Sequence, residues 1–457
     1  MKKIILITIA VTSSLLFSST VLAAEKSLPQ QTLFKSVHVW DGTSKGLTKK
    51  INVLVEGNLI KKLRATEKDA HKDALAIDGE GKILMPGLIE GHVHLSTFLP
   101  LQAWARDSLH PYAHGAHAVL RGEEMLMNGY TTVRDLGGPA NYLRQMYDAG
   151  HAVGPRVYPS ENWITQTSGH GDFRELNDPH PKIAASRQHF YEDYVTMIAD
   201  GPDEVTRAVR ETFRRGAVQI KLFTSGGVTS LFDPLHSAPN LEEIKAAVAV
   251  ADQWGTYVAT HSFTEKGILM SIEAGVKSIE HAPFLTEAAA KKMIENDLFL
   301  VTAVAAVFEV DEQTAQQTYP PASFEKWKRV RDAAKNMMQV VANNPELKFV
   351  FGTDLLGTVD TIKATDDKMN LEYKWWVKAL GTHRVMKAMT STAGELMALS
   401  GEMNPYPAGP LGVVQEGAYA DLLLVDGNPL EDVSVLEDPD ANFNIIMKDG
   451  KIYKNTL

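Results

Sequence analysis

The middle of the chain alternates short apolar runs with amphipathic stretches, and that alternation limits the fold more than any other feature. In order, the runs are "GLIEGHVHL", "YTTVRDLG", "RVYPS", "VQIKLFT", "TYVATHS", "SIEHA", "LFLVTAV" and "KFVFGTDL". Helical patterns lie between most of them. "PDEVTRAVRETFRRG" opens on Pro202 and closes on Gly216, the usual asymmetry of a helix with proline at its start and glycine just past its end. "NLEEIKAAVAVADQWG" opens with Asn240 and Glu243, which resembles a capping box, and closes at Gly255. Eight strands, most followed by a helix, is the count for an α/β fold of the (β/α)8 TIM-barrel type, expected over residues 86–400. The competing fold is an open doubly wound sheet. No Gly-rich dinucleotide fingerprint follows an early strand, which counts against it.

Both ends of the chain have a different texture. "LFKSVHVWDGTSKG", "INVLVEGNLIKKL" and "ALAIDGEGKILMPG" alternate apolar residues with Asp-Gly and Glu-Gly turns, and "AYADLLLVDGNPLEDV" and "FNIIMKDGKIYKN" repeat this near the C-terminus. They read as short antiparallel strands. The simplest account is one small β-sandwich assembled from residues 24–85 and 401–457.

Residues 1–23, "MKKIILITIAVTSSLLFSSTVLA", carry Lys2 and Lys3, then an apolar stretch, then small residues. That is the pattern of a cleaved secretory signal. A membrane-anchoring helix is the alternative. The stretch is short, broken by Thr12, Ser13 and Ser14, and followed by polar "AEKSLPQQ". No other window approaches the roughly 20 apolar residues of a spanning helix. The expectation is an exported chain, periplasmic or secreted, with no membrane contact after cleavage. Its formal charge of −10 and lack of a basic stripe make nucleic acid a poor partner. The absence of cysteine excludes disulfides, thiolate metal sites and a cysteine nucleophile. The oligomeric state stays open, a homo-oligomer included.

Barrel active sites sit at the C-terminal ends of the strands. His92 and His94 close the first run, and alternate residues of a strand share a face. Lys221 lies inside "VQIKLFT", His261 ends "VATHS", His281 ends "SIEHA" and Asp354 ends "FGTD". Each falls in apolar sequence, where an unpaired charge is costly. Singly these signals are weak. A lone H-x-H is more often an accident than a ligand pair, a lone buried histidine is usually a satisfied core residue, and an aspartate after a strand often caps the next helix. Together, in barrel order, they suit Zn2+ or a similar divalent ion. Lys221 reads two ways. A lysine desolvated beside a metal loses its proton readily, and the amine can add CO2 to give an anionic carbamate. It can equally snorkel out of the strand or pair with Asp354. Residues 161–200 form a long connection, which suggests a lid over the barrel mouth. Within it His170 is a candidate contact for a substrate carboxylate, although a loop hydrogen bond accounts for it as well. His236 in the strand 4 loop is a second such candidate. Arg134 and Asp135 read as a structural ion pair, and Phe98 and Trp163 as mouth residues that either pack or line a pocket.

"PGLIEGHVHL", "GYTTVRDLGG", "TSGHGD", "IKLFTSGG", "THSF", "IEHAPFL", "FGTD" and "ADLLLVDGNPLEDV" together resemble the amidohydrolase superfamily, in collinear order over nearly the whole chain beyond residue 23. The branch it is most similar to is the imidazolonepropionase-related, Xaa-Pro-dipeptidase-like one. The resemblance implies a (β/α)8 barrel with a β-sandwich and a binuclear site. His92 and His94 would hold the first metal with Asp354, which would also serve as general base and acid. His261 and His281 would hold the second, and Lys221, carboxylated, would bridge the two. It implies cleavage of a C–N amide bond, in dipeptides or N-acyl amino acids, by a metal-bridging hydroxide. This sequence departs from the family at Glu90, where aspartate is frequent, and has no histidine shortly after Asp354. Those departures leave the ligand set intact and bear on the substrate. Two rivals remain: a mononuclear deaminase or imidazolonase-type cyclic amide hydrolase on the same fold, and an exported binding protein that has lost catalysis.

Overall fold

The computed structural model of the chain describes residues 30–99, 110–183, 191, 194–230, 233–358 and 364–457. The expected leader, residues 1–23, lies outside them. The strands are β1 (Gln31–Val39), β2 (Ile51–Glu56), β3 (Leu59–Leu63), β4 (Leu75–Asp78), β5 (Ile83–Pro86), β6 (Leu88–Leu99), β7 (Tyr130–Asp135), β8 (Arg156–Pro159), β9 (Trp163–Thr165) and β10 (Thr196–Ile198). They continue with β11 (Ile220–Phe223), β12 (Val258–Ser262), β13 (Ser278–His281), β14 (Phe299–Thr302), β15 (Lys348–Phe351), β16 (Leu355–Thr358), β17 (Leu422–Val425), β18 (Phe443–Lys448) and β19 (Lys451–Asn455). All eight apolar runs of the middle region form strands, because each has enough β-branched and aromatic side chains to be buried on both faces.

Those strands pair in two parallel sheets. One runs β10-β9-β11-β12-β13-β14-β15, and the other β16-β6-β7-β8. Two backbone hydrogen bonds link the sheets: Val218 N, just before β11, donates to Pro159 O of β8 at 2.8 Å, and Asp354 N, between β15 and β16, donates to His92 O of β6 at 2.8 Å. The connection read as a lid contributes β9 and β10 to the edge of the first sheet, a part of it that sequence reasoning assigned no strand. Between strands the expected helices form. Pro202–Arg215 has proline in its first turn and ends at Gly216 in the left-handed region, φ +106°. The capping box of Leu241–Gln253 closes in both directions, with Glu243 N to Asn240 Oδ1 at 3.0 Å and Asn240 N to Glu243 Oε2 at 2.7 Å.

Strands from the two ends of the chain share one eight-stranded sheet, ordered β19-β18-β17-β5-β1-β2-β3 with β4 beside β1. It is mixed rather than antiparallel throughout, since β1 runs parallel to β4 and β5. Its own apolar cluster includes Phe34, Val53, Ile77, Leu422 and Ile445. Arg156 of β8 fastens this sheet to the parallel ones. It pairs with Asp421 at 2.8 Å and Asp449 at 2.6 Å, its guanidinium lying 3.9 Å from the ring centre of Tyr419. Among the described residues no helix is long and apolar enough to cross a membrane.

Candidate active site

The strand ends bring the predicted residues into one cavity of about 190 Å3. His92, His94, Lys221, His261, His281 and Asp354 all line it, together with His170 and Trp163. His92 and His94 sit at i and i+2 on β6, so their rings share a face, with centres 5.3 Å apart. Their Nε2 atoms lie 3.4 and 3.2 Å from the same Asp354 oxygen, Oδ1. Donor atoms of His92, His94 and Asp354 lie within 4.8 Å of one another. Lys221 Nζ is 3.5 Å from His92 Nε2. The His281 ring is 4.9 Å from that of His92, and the His261 ring 4.6 Å from that of His281. His261 Nε2 lies 3.3 Å from the Gly226 carbonyl.

Backbone geometry aims two of these groups. His281 and Asp354 have φ of +71° and +52°. Non-glycine residues held there cost about 1–3 kcal/mol each, and such strain clusters at functional sites. The effect at His281 is direct. Neighbours in a strand normally face opposite sides. Here Glu280 lies 2.8 Å from His92 Nδ1 through Oε2, and the next residue, His281, reaches the same imidazole from above.

A fully buried layer lies beneath the cavity. Arg134 donates to Gly91 O at 2.6 Å, Tyr257 Oη at 3.3 Å, Ser278 Oγ at 3.2 Å, and both Glu280 oxygens at 2.9 and 2.8 Å. Asp135 is not its partner, contrary to the expected ion pair. As strand neighbours the two face opposite ways, and Asp135 accepts from the backbone amides of Leu95 and Gly137 instead.

The electrostatics of the mouth follow from burial. It pushes the imidazoles of His92 and His261 well below their ordinary range, and those of His281 and His170 down to about 4. It also brings the Lys221 ammonium down to about 8. Burial opposes the Asp354 carboxylate, but His92, His281 and His94 outweigh it and hold the group well below the carboxylate range. The direction that describes this cluster at neutral pH is a charged Asp354 beside neutral His92, His261 and His281.

That state tests whether the site suits a cation. With His92 Nδ1 occupied by Glu280 and His94 Nδ1 3.3 Å from Gly137 O, both rings turn the Nε2 lone pair toward the cavity. Two lone pairs then face one carboxylate oxygen. Acceptors opposed in this way need a positive charge among them, and His/carboxylate donors of this kind are what Zn2+ binds. The donor set therefore fits a divalent ion.

The remaining candidates separate. His170 lines the cavity with Nδ1 held by Ser230 Oγ at 2.6 Å and its ring stacked 4.4 Å from His261. Gly227 makes room for it, since a Cβ there would come within 2.2 Å of the imidazole. His236 is exposed and does not line the cavity. Its neighbour Leu235 turns into the apolar packing, which turns His236 out. Trp163 both lines and packs, donating through Nε1 to Thr196 Oγ1 at 2.5 Å. The side chain of Phe98 lies outside the described residues. Sequence reasoning missed Glu280, although a lone acid inside "SIEHA" was a visible signal. It also missed the wall formed by Trp327, Val330, Ala334 and Met337. Their helical spacing is plain in the sequence, but nothing there tells a core-facing side from a cavity-facing one.

The sequence model of the amidohydrolase family matches residues 83–454. Ochratoxinase of Aspergillus niger is 31% identical over 382 residues, 81% of this chain and 76% of that protein. Among solved structures, a prolidase complexed with N-methylphosphonate-L-proline is 32% identical with a TM-score of 0.81, covering 93% of this chain and 100% of the other. A Xaa-Pro dipeptidase with methionine bound in its active site is 26% identical with a TM-score of 0.77, covering 93% and 100%.

Proposed function

We propose that this chain, which belongs to the amidohydrolase family and is thus a hydrolase acting on carbon–nitrogen bonds, cleaves the amide bond of dipeptides or N-acyl amino acids in a metal-dependent reaction. The observation that carries this reading is the convergence of two imidazole Nε2 atoms on one carboxylate oxygen, at 3.2–3.4 Å. The resemblance to a prolidase and a Xaa-Pro dipeptidase supports a substrate of dipeptide size.

His92, His94 and Asp354 would hold one divalent ion, and His261 and His281 a second, with Zn2+ the expected identity. Bound there, such ions would polarise the amide carbonyl and acidify an attacking water. Asp354, at the centre of the histidines, takes the proton from that water and passes it to the leaving nitrogen. Lys221 is the bridging candidate. Its amine, freed of a proton by burial, forms an N–C bond with CO2 and releases a proton to solvent, leaving an anionic carbamate. Glu280 fixes the tautomer and tilt of His92.

The two parallel sheets, linked by backbone hydrogen bonds at Val218 and Asp354, read as the halves of one closed (β/α)8 barrel over residues 86–400, and the mixed sheet as a β-sandwich from residues 24–85 and 401–457. Export to the periplasm or medium belongs to the same reading and rests on residues 1–23.

Metal analysis of the purified chain with a dipeptide and N-acyl amino acid screen tests the proposal. Activity is expected to disappear with chelator and return with Zn2+, at two ions per chain. Asp354→Asn is expected to lower kcat by about 10²–10⁴. Unchanged turnover in that variant would remove the assigned role. A mononuclear reading has one observation in its favour, since among the described residues only His92, His94 and Asp354 already converge within 4.8 Å. One ion per active chain would decide for it.

A further inference from the structure

We infer that the substrate of this site carries an uncharged, apolar group, seated in a bay beside the histidines and walled by Trp327. This rests on the amide-hydrolase reading and narrows it. The bay wall is the helix Pro321–Asn343, which presents Trp327, Val330, Ala334 and Met337 to the cavity at helical spacing. Phe263 and Val307 complete it. Apart from Lys221 and Asp354 of the histidine cluster, no charged side chain lines the cavity among the described residues. A charged substituent placed there would lose its water with nothing to replace it. At about 190 Å3 the cavity is also smaller than the roughly 300–1,000 Å3 typical of drug-sized ligand sites. It suits one small amide and not a longer peptide.

The bay is held shut from behind. Lys326, 8% exposed, donates to the carbonyls of Ser230 at 2.7 Å and Asp233 at 3.1 Å. It thereby locks the helix to the loop that supplies Val228 and Thr229 to the lining. The same Ser230 holds His170 through its hydroxyl. A wall tied to the neighbouring loop in this way selects by shape, because it yields little to an ill-fitting group.

Two substrate series with the full chain and Zn2+ test this. In the first, glycine is the leaving amine and the acyl group is 3-phenylpropanoyl, hexanoyl, succinyl or 4-aminobutanoyl. In the second, the acyl group is acetyl and the leaving residue is Phe, Leu, Glu or Lys. In at least one series kcat/KM for the apolar members is expected to exceed that for the charged ones by about 100-fold, in line with the selectivity of hydrophobic pockets. Less than about tenfold in both series overturns the inference. If no amide is cleaved, the hydrolase reading fails. Calorimetry with free 3-phenylpropanoate and succinate then still decides the bay, tighter binding of the former supporting it and equal or reversed affinity overturning it.

Discussion

Arg134 and Arg156 are both buried, and each grips a carboxylate from a distant part of the chain at 2.8 Å. The first lies beneath the histidine-lined cavity, the second at the junction between the parallel sheets and the terminal sheet. Their surroundings differ in one respect. Glu280, the partner of Arg134, shares an oxygen with His92 Nδ1. Asp421, the partner of Arg156, shares an oxygen with the backbone amide of Asp449. One network therefore ends on an imidazole of the cavity, the other on a turn. Similar ion-pair chemistry holds a cavity side chain in one place and fastens two sheets in the other.

The comparison predicts its largest effect at Arg134. Arg134→Met leaves the fully buried Glu280 carboxylate without its guanidinium partner, and losing one partner of a buried pair costs about 3–5 kcal/mol. Thermal unfolding of the metal-free chain is expected to show this loss in full. A variant as stable as the parent would mean that the guanidinium is not the support of this layer.

Glu280→Gln ranks next, and it separates orientation from stability. The amide keeps the shape but loses the charge that holds His92 Nδ1–H. Carboxylates behind metal-binding histidines are worth about 10- to 100-fold in metal affinity or activity. Competition with a chelator is expected to show weaker Zn2+ binding of that size, together with a raised free-metal requirement for turnover. If Asp421→Asn weakens Zn2+ binding equally, the two networks do not differ as argued.

These two networks also show what could be read in the sequence. The eight strands were legible because each run is apolar and bounded by turn or helix signals. The gathering at the mouth was legible because chemically capable side chains end the strands, and barrel strands end in one place. The partner of Arg134 was not. Pairing it with adjacent Asp135 ignored the alternation of faces along β7, and the true partner lies 146 residues away. Nor was the turn at His281 visible, since a positive φ at a non-glycine residue leaves no mark in composition. His236 failed for a related reason. Loop sequence does not reveal which neighbour faces inward, and Leu235 took that place.

Asp421→Asn should be a stability change alone. Asp421 is 5% exposed and accepts two hydrogen bonds from Arg156 and one from Asp449 N. Asparagine can retain only part of this set, and imperfect pairing of buried polar groups costs about 1–3 kcal/mol. Chemical denaturation is expected to register that loss, while Zn2+ affinity and kcat of the folded fraction stay within about twofold. A drop in kcat would show that the junction communicates with the mouth.

Asp449→Asn should be the smallest change, and it sharpens the comparison inside the junction itself. Its bond to Arg156 is shorter than that of Asp421, 2.6 against 2.8 Å, so distance alone would rank it the stronger. Its side chain, however, is 47% exposed, against 5% for Asp421. Water and salt screen such a pair, and exposed pairs contribute about 0–1 kcal/mol. Denaturation at low and high ionic strength distinguishes the two carboxylates. The Asp449→Asn difference is expected to be under about 1 kcal/mol and to shrink with salt, whereas the Asp421→Asn difference persists. Equal losses at both positions would mean that proximity to Arg156, and not burial, governs the strength of this junction.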